Sequence, residues 1–168
     1  MAGAPQKILF LGAMAVGKSS LIRRLISGEF DADYKSTLGV KLHELNLNTG
    51  QGPQKVMLWD TDGEAGSAIL NSPYAIGADA AILVSDVSRP ETLNVLFDLA
   101  DAMEEALPGR PYLGVCNKTD LASVPDSTMA QLSEYCDLTA ATSAVTGHGV
   151  EDALYRMVSL VAARKRDY

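Results

Sequence analysis

The chain has 168 residues, 47% hydrophobic and 21% charged, with a formal net charge of −7. That length and apolar content suit one domain with a substantial core and exclude a disordered chain. The acidic balance excludes a general nucleic-acid binder, which carries a basic field.

Residues 7–11, Lys-Ile-Leu-Phe-Leu, form an apolar run of strand length. Gly12-Ala13-Met14-Ala15-Val16-Gly17-Lys18-Ser19 follows, and over 20–26 Leu21, Ile22, Leu25 and Ile26 recur at helical spacing. A strand that turns so sharply into a helix needs glycine, which has no Cβ to clash. The backbone N–H groups of such a turn and the helix N-terminus face one point, which suits a phosphate chain. In this pattern Lys18 reaches the outer phosphates and the Ser19 hydroxyl ligates Mg²⁺.

Residues 30–37 read as a connector. Thr37 there can offer its hydroxyl to Mg²⁺ and its N–H to a γ-phosphate, and Phe30 can pack edge-on against a base; a solvated connector is the plainer reading. Residues 38–48 alternate, with Val40, Leu42, Leu45 and Leu47 apolar, as in a half-exposed strand. A turn at 49–53 and a strand at 55–59 complete a predicted antiparallel hairpin. In Asp60-Thr61-Asp62-Gly63 the first carboxylate can hold Mg²⁺ through water opposite Ser19, and Gly63 can offer its N–H to a terminal phosphate. Taken alone, that tetrapeptide is an ordinary acidic turn.

Residues 80–84 and 112–116 are continuous apolar runs, expected of parallel strands covered on both faces, and 138–141 is a weaker strand. Helices are predicted at about 90–107, 126–135 and 150–165. Ser88 is the expected N-cap of the first, with Pro90 in its first turn. Trp59, Leu83, Val84 and Val115 read as core. Strands alternating with helices predict a three-layer α/β fold around a parallel sheet.

In Asn117-Lys118-Thr119-Asp120, Asp120 can accept from the N1–H and 2-amino groups of guanine, a donor pair that adenine lacks. Lys118 can lay its aliphatic stem along the base, and Asn117 can tie this loop to the 12–19 loop. In Thr142-Ser143-Ala144, the Ala144 N–H can donate to guanine O6. Cys116 and Cys136 read as free thiols of a reducing cytoplasm. His43 and His148 have no partners at metal-ligand spacing, so no zinc site is assigned. Residues 1–6 have no signal-peptide core, and no apolar run is long enough to span a bilayer.

In this order and spacing, these segments resemble the Ras-like small GTPase superfamily along essentially the whole chain. Trp59-Asp60-Thr61, residues 36–40, and Thr142-Ser143-Ala144 with Thr146-Gly147 look most like the Rab branch. The resemblance implies one G domain over 1–168: a phosphate-loop NTPase with a six-stranded, mostly parallel sheet, one antiparallel edge strand and about five helices. It implies a switch that binds GTP or GDP with Mg²⁺ and hydrolyses GTP. Implied nucleotide contacts are Gly12, Ala15, Val16, Gly17, Lys18, Ser19, Ser20, Phe30, Tyr34, Thr37, Gly63, Asn117, Lys118, Asp120, Ser143, Ala144 and Val145. Ser19, Thr37 and Asp60 are the implied metal ligands, and Lys18, Thr37, Gly63 and Glu64 the implied catalytic residues. Effectors, exchange factors and GTPase-activating proteins would meet switch regions at about 30–42 and 60–75.

The chain departs from the family pattern in places. Glu64 stands where the family has its water-orienting glutamine, and Asp62 where it has alanine. Met14 stands where some branches have glycine, and residues 65–68 are smaller than usual. No cysteine follows Cys136, so a prenylated tail is absent from this sequence. The expectation is a cytoplasmic protein that meets membranes only through a missing tail or a partner. Two alternatives are a scaffold that holds nucleotide with little hydrolysis, supported by Asp62 and Glu64, and a P-loop ATPase or kinase, against which residues 117–120 argue.

Overall fold

A computed structural model describes residues 4–28, 39–61 and 63–166. The strands are β1 Gln6–Gly12, β2 Val40–Thr49, β3 Gly52–Thr61, β4 Ala80–Asp86, β5 Tyr112–Asn117 and β6 Leu138–Ala141. The helices are α1 Lys18–Ser27, α2 Glu91–Ala106, α3 Asp126–Tyr135 and α4 Val150–Arg166, and 3-10 segments at Gly63–Asn71 and Pro73–Ala75 lie between β3 and β4. They build one sheet in the order β2-β3-β1-β4-β5-β6, in which only the β2–β3 pairing is antiparallel.

The apolar runs become strands because both sheet faces are covered. Successive β1 side chains point to opposite faces. Ile8 and Phe10 join Val56, Leu58 and the α1 and α4 residues Leu21, Ile22, Leu154 and Met157. Leu9 and Leu11 join Leu83, the α2 residues Leu96, Leu99 and Met103, and Ile69 and Leu70 of the first 3-10 segment. Parallel β1, β4 and β5 lie centrally, so their C-terminal ends and the loops beyond them sit side by side. β2 is an edge strand; Leu45 and Leu47 are half-buried between exposed neighbours as its sequence alternates, but Leu42 is exposed and His43 is half-buried.

Local chemistry accounts for several differences from the sequence reading. The hairpin turn is tighter than 49–53: Thr49 pairs with Gly52, leaving Gly50 and Gln51 to turn. The Thr49 hydroxyl donates to Gly52 O at 2.9 Å and accepts from Gln51 N at 3.2 Å. Ser88 does not cap α2. Pro90 holds the N-cap position, and the Ser88 hydroxyl donates to Asp86 Oδ1 at 2.6 Å instead. Thr92 secures that turn, accepting from Asp86 N at 2.9 Å and donating to Arg89 O at 2.7 Å. Trp59 is only partly buried; its ring lies 3.9 Å beneath Lys7 Nζ and 6.1 Å from the Tyr74 ring. Residues 63–71 form a 3-10 segment kinked at Gly66 (φ 53°, ψ −137°); its two glycines favour α-helix weakly. Both cysteines are free and buried.

Candidate functional site

The 12–19 loop joins the end of central β1 to the start of α1. Gly17 is the α1 N-cap in the left-handed region (φ 105°), and no side chain caps the helix. The first-turn N–H groups therefore face the loop's hollow. Gly17 is also required for space: a Cβ there would lie 2.3 Å from Asn117 Nδ2. Lys18 is 6% exposed because its chain folds back under the loop. Its ammonium donates to Gly12 O at 2.9 Å and Ala13 O at 2.8 Å, which places a positive charge inside the loop's arc.

Asp60, near the end of β3, accepts from the Ser19 hydroxyl at 2.5 Å. The next residue secures the strand end: Thr61 Oγ1 donates to Phe10 O at 2.6 Å. A hydroxyl beside a buried carboxylate is a hard-oxygen set, which fits Mg²⁺ and not zinc. No group of three or more His, Cys, Asp or Glu placed to hold a metal occurs among the described residues. Gly63 begins the 3-10 segment directly against the 12–19 loop: a Cβ on it would lie 2.6 Å from Met14 N and 2.8 Å from Ala13 C. Glu64, next along, is exposed.

The loop after β5 is locked to the 12–19 loop. Asn117, 1% exposed, donates from Nδ2 to Val16 O at 2.9 Å and accepts from Thr142 Oγ1 at 2.9 Å. Lys118 Nζ donates to Ala15 O at 2.8 Å. Lys118 (φ 71°) and Ala15 (φ 61°) are left-handed without being glycine, a conformation that persists where the surroundings over-determine it. Asp120 is exposed, and its Oδ1 accepts from Ser143 Oγ at 2.8 Å. Ser143 in turn accepts from Thr146 N at 3.1 Å, closing the loop after β6 beside it. Ala144 is buried, and Val145 stands at the rim, 46% exposed. Gly12, Val16 and Ser20 lie within the first loop and the first turn of α1. The expectations for Phe30, Tyr34, Thr37 and Asp62 fall outside the described residues.

Asp86 and Arg89 also belong to this cluster, and sequence reasoning passed over them. Asp86 ends the fully buried β4. Burial alone pushes its carboxyl up, but hydrogen bonds from Lys118, Ser88 and Arg89 outweigh that and hold it at about 2. The available signal was a carboxylate ending a continuous apolar run, where a central strand meets the loops.

A parallel sheet whose strand ends carry such a glycine-bearing loop, with a hydroxyl–carboxylate pair beside it, belongs to the phosphate-loop α/β class. The sequence pattern of the Ras family matches residues 7–163. The Ras-related protein Rab-4B of Homo sapiens is 32% identical over 155 residues, which cover 89% of this chain and 73% of that protein. The Ras-related protein Rab11D of Lotus japonicus is 32% identical over 173 residues, covering 96% and 79%. The Ras-related protein Rab-4A of Rattus norvegicus is 32% identical over 152 residues, covering 88% and 70%. The chain belongs to the Ras family and is a small GTPase of the Rab type. No helix among its described residues is long and apolar enough to cross a membrane.

Proposed function

We propose that this chain binds GTP and GDP with Mg²⁺, hydrolyses GTP to GDP and phosphate, and signals to partner proteins through residues 30–42 and 60–75. The observation that carries this reading is the coupling of two loops. Asn117 and Lys118 fasten to Val16 and Ala15, so a base read by Asp120 and a phosphate chain read by residues 12–19 share one rigid frame. Asp120, oriented by Ser143, presents a carboxylate to the mouth, and a carboxylate suits the two donors of guanine.

Catalysis in this reading is positioning and charge stabilisation. Lys18 and the loop N–H groups draw in phosphate oxygens, and Gly63 lies close enough to the loop to offer its own N–H to the terminal phosphate. Mg²⁺, held by Ser19, Asp60 and Thr37, would neutralise phosphate charge. Glu64 can accept a hydrogen bond from an attacking water, but its carboxylate has no N–H₂ to donate and repels a polyanion. Hydrolysis is therefore slow. A second reading, a nucleotide-holding scaffold with little turnover, rests on the same Glu64 and on Asp62. Recruitment to membranes from the cytoplasm would run through a partner or a tail beyond this sequence.

Identification of the co-purifying nucleotide and single-turnover hydrolysis by wild type, Glu64→Gln and Asp62→Ala test these readings together. Bound GDP or GTP with faster turnover in either variant supports the proposal. Unchanged rates in both refute the account of slow hydrolysis, equal affinity for ATP and GTP refutes guanine selection, and bound nucleotide with no turnover selects the scaffold.

A further inference from the structure

We propose that Asp86 and Arg89 are positioning residues that brace the 12–19 loop and set how slowly bound guanine nucleotide leaves. The proposal rests on the nucleotide-binding reading above and extends it to residues outside the loops that reading uses.

Five consecutive carbonyls of the loop are each held by a side chain. Lys18 takes Gly12 O and Ala13 O, Arg89 Nη2 takes Met14 O at 2.8 Å, Lys118 takes Ala15 O, and Asn117 takes Val16 O. In a trans peptide plane, C=O and N–H point in opposite directions. Holding the carbonyls of Met14, Ala15 and Val16 outward turns the N–H groups of Ala15, Val16 and Gly17 inward, toward the hollow where an anion is cradled. Arg89 completes this set at Met14, next to the left-handed Ala15.

Asp86 supplies the fixed point. Its side chain is 1% exposed, and a carboxylate so buried must be fully paired. Oδ1 accepts from Ser88 N at 2.8 Å and Ser88 Oγ at 2.6 Å. Oδ2 accepts from Lys118 Nζ at 2.8 Å and Arg89 Nε at 3.1 Å. One buried oxygen thus anchors two cations, and each cation also grips a neighbouring loop carbonyl. The bridge from Arg89 uses two separate nitrogens of one planar fork, Nε on Asp86 and Nη2 on Met14 O, a spacing that the single nitrogen of an ammonium does not reproduce.

The test is release of fluorescent N-methylanthraniloyl-GDP from wild type, Arg89→Ala, Arg89→Lys and Asp120→Ala, chased with excess GDP. Arg89 is partly exposed, so its variants fold; thermal midpoints check this, and Arg89→Gln is the reserve. Both Arg89 variants should release nucleotide about tenfold faster, the effect of losing one charge-assisted hydrogen bond. Their preference for GDP over IDP, which lacks the 2-amino group, should stay that of wild type, while Asp120→Ala loses that preference. Wild-type rates in Arg89→Ala overturn the proposal, as do faster release that merely follows a fall in midpoint and full rescue by lysine. Wild-type protein that holds no guanine nucleotide overturns the functional reading and this proposal together. Retention by wild type with unchanged variants overturns the brace alone.

Discussion

The Asn117 amide donates to Val16 O and lies against Gly17, which makes a quantitative test of the link between the two loops. Asn117→Ala deletes the donor to Val16 O and the acceptor of Thr142 Oγ1, both at 2.9 Å. Asn117 and Thr142 are each 1% exposed and Val16 is 0%, so water has little access to the orphaned groups. Each unsatisfied buried group costs about 1–3 kcal/mol, so the variant with two such groups should lose roughly 2–6 kcal/mol of the 5–15 typical of a domain. Gly17→Ala attacks the same bond from the other side, because its Cβ would lie 2.3 Å from Asn117 Nδ2 and displace the amide. Left-handed strain at φ 105° adds about 1 kcal/mol. Once Asn117 is alanine, that clash has no partner. The double variant should therefore be destabilised by at least about 1 kcal/mol less than the sum of the singles. Urea unfolding at one fixed nucleotide concentration reads all four corners of the cycle. Additivity within about 0.5 kcal/mol, or a cost below that for Asn117→Ala, would refute the reasoning.

Gly63→Ala puts a Cβ 2.6 Å from Met14 N, a backbone atom that cannot yield, so the 63–71 segment must move off the loop. GTP affinity should fall about tenfold relative to GDP affinity, and an equal loss for both would contradict a role of Gly63 at the terminal phosphate. The Asp86 carboxyl is held at about 2 in the fold against an ordinary 3.8, so the native state favours its ionised form. That difference is worth roughly 2 kcal/mol, present above pH ~4 and lost as pH falls toward 2. The urea midpoint of wild type should drop more steeply across that window than that of Asp86→Asn, and parallel curves would remove the basis for this. Burial pushes the Cys136 thiol up to about 12 and raises Cys116 as well. A thiol reagent at pH 8 should label neither cysteine until urea unfolds the chain; rapid labelling of native protein would show that these side chains are not enclosed.

Much of this protein is local and was legible in the chain. Continuous apolar runs marked β1, β4 and β5 because a strand covered on both faces has no polar side. α3 at Asp126–Tyr135 and β6 at Leu138–Ala141 fall where spacing placed them. The 12–19 loop and Asn117-Lys118-Thr119-Asp120 were readable because their chemistry sits in consecutive residues. Ser88 misled because a hydroxyl before proline matches a helix cap, while a carboxylate two residues earlier captured it. Arg89 and Met14 are 75 residues apart, and nothing in the local pattern of either names the other. Their meeting depends on β4 lying between β1 and β5. Periodicity tells a side chain which face to take; the partner it finds across strand ends follows from strand order, and strand order is set by how the whole chain crosses over the sheet.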